Sequence, residues 1–389
     1  MSNSKKIIKF KKDSVIFTEG KEPKYTFYII VSGTVAYYSY FADNYKVEYQ
    51  AGDTIGLSNA VINEPFSSTV KAVDDVELLE MNVQEIENIN DTSIINKMYN
   101  HLLLDLERWL NRYYYFLNKV YDPYAKNERK TSNIIEIGKI YYNNGFYDVA
   151  YKVFNKYKET NPGNEGIEEL LSKITPIEEP KAINNNVYRY KEGYCIYNEL
   201  QSSDYLYIIK YGKVGIYNIF NSKIVTRKVS TDNDIINGYG SSKNRPYLTT
   251  AVTLQDSIIQ LIKKEEIMNL MYIDKNIRLY LIKIMSMRIY STILRIKAFN
   301  TDNMMGKFII IIEALIKNEL LFKDIKKIKF PYNINDICSI IGVDYNPYIE
   351  NEVRKIKSVT ISENGNLTVK NIDDFYEEYK VYSQRILNK

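Results

Sequence analysis

The side chains that most often perform chemistry are scarce in this chain. It holds one histidine, His101, and two cysteines, Cys195 and Cys338, among 389 residues. A zinc-type site draws on about four clustered N or S ligands, and these three lie far apart. No Gly-rich phosphate loop of the P-loop or dinucleotide type occurs. His101 falls inside the helical stripe Ile94–Leu117, where a surface or half-buried structural role is expected rather than proton transfer. The cysteines sit in apolar runs and read as reduced core residues. No catalytic activity, metal or cofactor is therefore expected. What remains is hydrogen bonding and charge: the hydroxyl runs Ser67-Ser68-Thr69 and Thr249-Thr250, and an amide- and cation-bearing stretch from Asn346 to Lys357.

The elements that carry these groups come in duplicate. Phe27-Tyr-Ile-Ile-Val-Ser-Gly-Thr-Val35 matches Leu206-Tyr-Ile-Ile-Lys-Tyr-Gly-Lys-Val214, so Tyr28, Gly33 and Val35 answer Tyr207, Gly212 and Val214, each 179 positions on. Val15-Ile16-Phe17 answers Tyr194-Cys195-Ile196 at the same offset. Ser67–Val70 is read against Thr249–Val252 with a three-residue slip. A period this long marks a duplicated domain.

Each copy opens with short β-rich runs broken by turn signals. In the first they are Ser14–Thr18, Tyr25–Val31, Thr34–Tyr40, Lys46–Gln50, Ser68–Val73 and Val76–Met81. Such spacing predicts an antiparallel barrel or jelly roll over 7–82 and again over 187–264. A long apolar helix follows each barrel: Ile94 to Leu117, closed by Asp122-Pro123, and Lys275–Phe299 with Leu281, Ile284, Met285, Ile289, Ile293 and Ile296 on one stripe. The second stripe is expected to pack on its own barrel or in a coiled coil with a second copy of the chain, a homodimer through 275–299. Net charge is +4, which neither demands nor excludes nucleic acid. Met1–Lys12 has no long apolar region, and the longest apolar stretch, Phe308–Ile312, is too short to span a bilayer; a cytoplasmic protein without membrane contact is expected.

Two resemblances attach to these patterns. The runs Asp13–Gly20, Phe27–Gly33, Ala51–Gly56 and Ser67–Ala72, with Gly193–Tyr197, Leu206–Val214, Asp234–Gly238 and Thr249–Val252 in the second copy, resemble the cyclic-nucleotide-binding domain of Crp/Fnr regulators. Residues 131–164 resemble one tetratricopeptide hairpin: Ile134, Ile137, Gly138, Tyr141, Gly145, Tyr147, Ala150, Phe154 and Pro162 fall at its spacings, with Ile134 in the usual Trp position. A single hairpin reads as a spacer between barrels rather than a peptide groove.

The resemblance implies a ligand site at Gly56, Leu57, Ser58, Ser67, Ser68 and Lys71 in the first copy, and at Gly238, Arg245, Thr249 and Thr250 in the second. It also exposes a departure. The family's ribose-binding glutamate falls at Leu57 and Gly238, and its phosphate-binding arginine at Phe66 and Leu248. A desolvated charge pair of this kind is typically worth about 2–5 kcal/mol, so ordinary cyclic AMP or GMP binding is not expected unless Lys71 or Arg245 substitutes.

Residues 305–370 resemble the winged helix-turn-helix that closes such regulators, with Ile334–Ile341, a turn at Gly342, a recognition helix Pro347–Lys357 and a hairpin wing turning at Asn364-Gly365. This implies double-stranded DNA as partner, with Tyr345, Asn346, Tyr348 and Asn351 near bases and Arg354 and Lys355 on phosphates. Yet residues 301–389 carry thirteen Lys and Arg against thirteen Asp and Glu. The reading is an α+β multidomain chain: a cyclic-nucleotide-binding-like domain at 1–120, a helical hairpin at 131–175, a second such domain at 183–300 and a winged helix at 303–389. Its expected role is a Crp/Fnr-like transcription regulator answering a small-molecule or protein effector; the alternative is a scaffold or adaptor that does not bind DNA.

Overall fold

The computed structural model describes residues 6–121, 134–201, 205–220, 222–236, 249–321 and 323–387. The chain divides into two compact units that do not follow its order: Met1–Tyr114 with Met268–Ile328 and Lys370–Lys389, and Tyr115–Ile267 with Lys329–Val369. Among the described residues no helix is long and apolar enough to cross a membrane.

In the first unit, β1 (Ile7–Phe10), β2 (Val15–Phe17), β3 (Thr26–Ser32), β4 (Val35–Ser39), β5 (Tyr45–Tyr49), β6 (Thr54–Ile55), β7 (Thr69–Ala72) and β8 (Val76–Asn82) form two antiparallel sheets, ordered β1-β8-β3-β6 and β2-β7-β4-β5. Phe17, Ile30, Val35, Ile55, Phe66, Val70, Val76 and Leu78 fill the space between them. Sequence alternation did not foresee α1 (Leu57–Ile62), a short helix between β6 and β7. The barrel leads into α2 (Thr92–Tyr121); its expected stop, Asp122-Pro123, lies outside the described residues.

The second unit begins with α3 (Ile134–Asn143), α4 (Tyr147–Thr160) and α5 (Glu165–Ser172). Then come β9 (Lys181–Asn184), β10 (Val187–Tyr190), β11 (Cys195–Tyr197), β12 (Tyr205–Tyr211), β13 (Val214–Phe220), β14 (Lys223–Ser230), β15 (Ile235–Ile236), β16 (Thr250–Thr253) and β17 (Ser257–Lys263). The sheets, β15-β12-β17-β10-β9 and β11-β16-β13-β14, repeat the first topology with β9 added at an edge. Gly33 and Gly212 are equivalent, with φ of 86° and 118°. A Cβ on Gly33 would stand 2.5 Å from the Asp75 carbonyl, and one on Gly212 2.8 Å from Ser257 Cα, so backbone closeness as well as handedness selects glycine.

The ladders correct two registers. Val15 and Phe17 pair with Lys71 and Val70, and Cys195 and Tyr197 with Val252 and Ala251, so Phe17 answers Tyr197 and not Ile196. Val35, Ala36 and Tyr37 pair with Ala72, Lys71 and Val70, while Val214, Gly215 and Ile216 pair with Thr253, Val252 and Ala251. Strand β7 therefore answers β16 with a slip of two residues, not three, and Thr69 is the counterpart of Thr250. The helical hairpin packs on the second barrel. Its seam residues Tyr141, Val149, Ala150, Val153 and Phe154 share one core with Cys195, Tyr217 and Val252 of the second barrel. Lys152 Nζ donates to the Cys195 carbonyl at 2.6 Å, and the Cys195 N–H donates to Asp148 at 2.7 Å.

After α6 (Lys264–Ile273), α7 (Lys275–Phe299) and α8 (Met304–Leu320) rejoin the first unit. The stripe of α7 is buried within the first unit. Leu281, Met285, Ile289, Ile293 and Ile296 are buried, and α7 packs on α1 and α8. Arg278 Nη1 clamps the carbonyls of Ile86 and Ile89 at 3.0 and 2.8 Å. Steric fit decides this: the six-residue α1 leaves an apolar face beside it that α7 covers. The chain ends with β18 (Ile328–Asn333), α9 (Ile334–Ile340), α10 (Pro347–Arg354), β19 (Val359–Ile361), β20 (Asn366–Val369) and α11 (Ile372–Leu387). The sheet order is β18-β20-β19. Helix α9 lies on β14, where Thr226 Oγ1 donates to Asp336 at 3.2 Å.

Candidate ligand-binding site

A small, partly open cavity lies within the first unit. Strand alternation aims Tyr37 and Ser39 of β4, and Tyr45, Val47 and Tyr49 of β5, toward it. Its lip is Gly56, Leu57, Ser58, Asn59, Ser67 and Ser68. Helix α2 contributes His101, Asp105, Arg108 and Trp109, and α7 contributes Ile289 and Ile293.

The lip is fixed by short polar contacts. The Gly56 N–H donates to the Tyr37 hydroxyl at 2.8 Å, and Ser39 and Ser68 share a hydrogen bond of 2.6 Å. Asn59 Nδ2 donates to the Pro65 carbonyl at 2.7 Å and to Ser67 Oγ at 3.2 Å. Phe66 stacks on Phe17 with centroids 3.8 Å apart. Gly56, at φ 74°, lets that ring close in, since a Cβ would meet it at 2.9 Å.

Beneath the lip lies a charged network that sequence reasoning missed. His101 is 6% exposed, not superficial. Its Nε2 stands 3.2 Å from Asp105 and its Nδ1 3.5 Å from Asp53. Asp105 also accepts from the Tyr49 hydroxyl at 2.6 Å and from Arg108 at 3.3 Å. Burial opposes the His101 charge, but Asp105 and then Asp53 outweigh it and raise its pKa to about 9. Burial likewise opposes the Asp105 carboxylate, yet the His101 charge holds its pKa below the ordinary value. Desolvation first, and Asp105 second, push the Tyr49 hydroxyl well upward. Two carboxylates face one imidazolium and one guanidinium, so the charges of this set balance. The readable signal was His101-x3-Asp105, an i,i+4 pair on one helix face.

Of the residues the sequence pointed to, Gly56, Leu57, Ser58, Ser67 and Ser68 line this cavity and Lys71 does not. On β7 the core takes Val70 and Ala72, so Lys71 faces away and its ammonium lies 5.6 Å over the Tyr38 ring. In the second barrel Gly238 and Arg245 lie outside the described residues. Thr249 is half-buried. Thr250 is fully buried, sharing a 2.7 Å hydrogen bond with Tyr141 and accepting from the Glu199 N–H, so its hydroxyl serves the hairpin and not a ligand. Among the described residues no group of three or more His, Cys, Asp or Glu could hold a metal ion.

On α10 and at its ends, Tyr345, Tyr348, Asn351, Arg354 and Lys355 are exposed. Asn346 caps the helix, accepting from the Ile349 N–H at 3.2 Å. Tyr345 donates to Glu350 at 2.8 Å, Arg354 Nε donates to Glu350 at 3.1 Å, and Lys355 pairs with Glu352.

Residues 7–93 and 187–274 both match the profile of the cyclic nucleotide-binding domain. The chain carries this domain twice. No curated protein matches it. Among solved structures, FixK2 from Bradyrhizobium japonicum is similar at 13% identity, over 51% of this chain and 97% of its own, with a TM-score of 0.38. A CooA variant from Carboxydothermus hydrogenoformans is similar at 14% identity, over 49% and 86%, with a TM-score of 0.38. The half-site-occupied form of the EAL enzyme Bd1971 is similar at 26% identity, over 22% and 78%, with a TM-score of 0.20.

Proposed function

We propose that this protein is a Crp/Fnr-like regulator, not an enzyme, in which the first cyclic nucleotide-binding domain takes a small effector and residues 328–369 act as a winged helix on double-stranded DNA. One observation carries the reading: α7 walls the cavity through Ile289 and Ile293 and packs directly on α8 of the C-terminal segment. An effector that enters must displace or tighten α7, and the displacement passes into α8. The effector is not ordinary cyclic AMP or GMP, because Leu57 and Phe66 stand where the anchoring charges would be and the cavity's own cations are spent on Asp53 and Asp105. In this reading Arg354 and Lys355 contact phosphates and Asn351 meets base edges.

A second reading, a scaffold that does not bind DNA, is favoured by one feature. The basic groups of α10 are paired with Glu350 and Glu352 of the same helix, which neutralises the face offered to a polyanion. The deciding experiment titrates the full chain with genomic DNA fragments at two salt concentrations, with and without a nucleotide panel. Salt-dependent binding whose log–log slope falls by about one in Lys355→Ala supports the regulator. A folded protein that binds no fragment at low salt leaves the scaffold.

A further inference from the structure

The loop that carries the cavity's lip continues into a buried ion cluster. Glu64 follows α1, and its N–H donates to the Asn59 carbonyl at 3.0 Å. Two residues on, Phe66 packs in the barrel core, and the next residue, Ser67, lines the cavity. The Glu64 carboxylate is paired with Lys317 Nζ of α8, and both side chains are about 15% exposed. Lys317 also lies 3.6 Å from Glu313, one turn earlier on α8 and 5% exposed. Tyr290 of α7 interacts with Glu64, and Tyr379 of α11 with Glu313. The Lys317 ammonium stands over the rings of Tyr290 and Tyr376 at 5.8 and 5.9 Å.

The cluster thus joins four elements of one compact unit: the lip loop, α7, α8 and α11. Two carboxyl groups share one ammonium, and burial raises the pKa of Glu313 above its ordinary value. Glu313 Oε2 has no hydrogen-bond partner although it is buried. Such an arrangement stabilises poorly for its cost in desolvation, and removing its one cation leaves two repelling buried acids. An apolar contact at the same place would hold the elements more tightly.

We propose that Glu64, Lys317 and Glu313 form a latch that couples the lip of the first cavity to the C-terminal helices α8 and α11. The Glu64–Lys317 bond holds the loop against α8, and movement of the loop as the cavity fills opens it. Release leaves Glu313 and Lys317 to pair alone on α8, which frees α11 at Tyr379. The latch gains its regulatory meaning from the sensor reading above, but its coupling is a property of the unliganded chain.

Hydrogen exchange on the full-length protein tests it without any ligand. In Lys317→Met, amide exchange over 63–68 accelerates roughly tenfold or more, alongside that of α11. In Glu64→Gln, exchange rises in 313–320, across the latch from the substitution. The double variant shows less than the product of the two effects, because both remove one interaction. Should Lys317→Met fail to fold, Glu64→Gln alone decides through the response of 313–320. Changes confined to the substituted element in both variants, or a double variant that is strictly multiplicative, overturn the latch. Either result leaves the DNA and effector titrations unaffected, so this proposal and the sensor reading fail separately.

Discussion

The two barrels share a topology and use it differently. Where the ladders make positions equivalent, the first has Phe17, Tyr37 and Tyr49 and the second has Tyr197, Ile216 and Ser230. In the first, the two tyrosine hydroxyls reach the Gly56 N–H and Asp105, and a charged network grows around a cavity. In the second, Ile216 has no hydroxyl to offer, and Tyr197 packs beside Tyr207 in a tyrosine-rich core. The second barrel instead develops the outer face of its β11-β16-β13-β14 sheet, where the helical hairpin and α9 dock. Among the described residues the two copies share their strands and turns, and the inward tyrosines of the first are what reach its charged network.

This contrast can be broken from the second copy first. Asp148→Ala strips the Cys195 N–H and Lys152 of their shared buried carboxylate, and should destabilise the second unit by about 3 kcal/mol. Two-probe denaturation should show that unit melting early while Trp109, in the first unit, reports an unchanged transition. Coincident early loss of both signals would mean the units do not melt separately.

The first copy is broken by pH. The folded pKa of His101 is raised from 6.5 to about 9, so its stabilisation is complete below pH 6.5 and is lost as pH rises through about 9. The loss should approach roughly 3 kcal/mol and fall on the first unit. Chemical denaturation between pH 6 and 10 measures it, and His101→Gln should flatten the curve. An unchanged slope in that variant assigns the effect elsewhere.

Smaller effects sharpen the picture. Thr250→Val removes the hydroxyl shared with Tyr141 and should cost about 1 kcal/mol in the second unit, without altering any ligand response. Lys71→Ala should stay within about 0.5 kcal/mol and leave ligand response intact. A Lys71 variant that abolishes ligand binding would place the phosphate side of the site on the outer face of β7.

Much of the fold was legible because it rests on local rules. Gly33 and Gly212, the period-two strands and the hairpin spacing Gly138, Tyr141, Ala150, Phe154 specify short-range geometry, and residues close in sequence suffice to read it. The destination of α7 was not legible. Its stripe states that a partner surface is needed, and nothing within the helix says that the surface is α1, more than two hundred residues earlier. The site was half legible for the same reason. Ser67 and Ser68 come with the repeated strand pattern, whereas Asp53 meets His101 only after α2 has folded over the barrel mouth. Lys71 was misread because a β-strand hides every second residue, and a register slip of one exchanges the faces.

The order in which α7 reaches its place bears on synthesis. The first unit is assembled from three separate stretches, and its cavity wall includes Ile289 and Ile293. While the ribosome is still making the second barrel, the N-terminal barrel is already outside the tunnel without that wall, and the apolar side of Leu57, Ala60 and Val61 is wet. Long-range closure of this kind is slow, and the waiting surface is prone to aggregate. A chain interrupted near residue 270 would therefore yield a sticky fragment, and recombinant expression of the N-terminal barrel is best attempted with residues 268–328 supplied in the same cell.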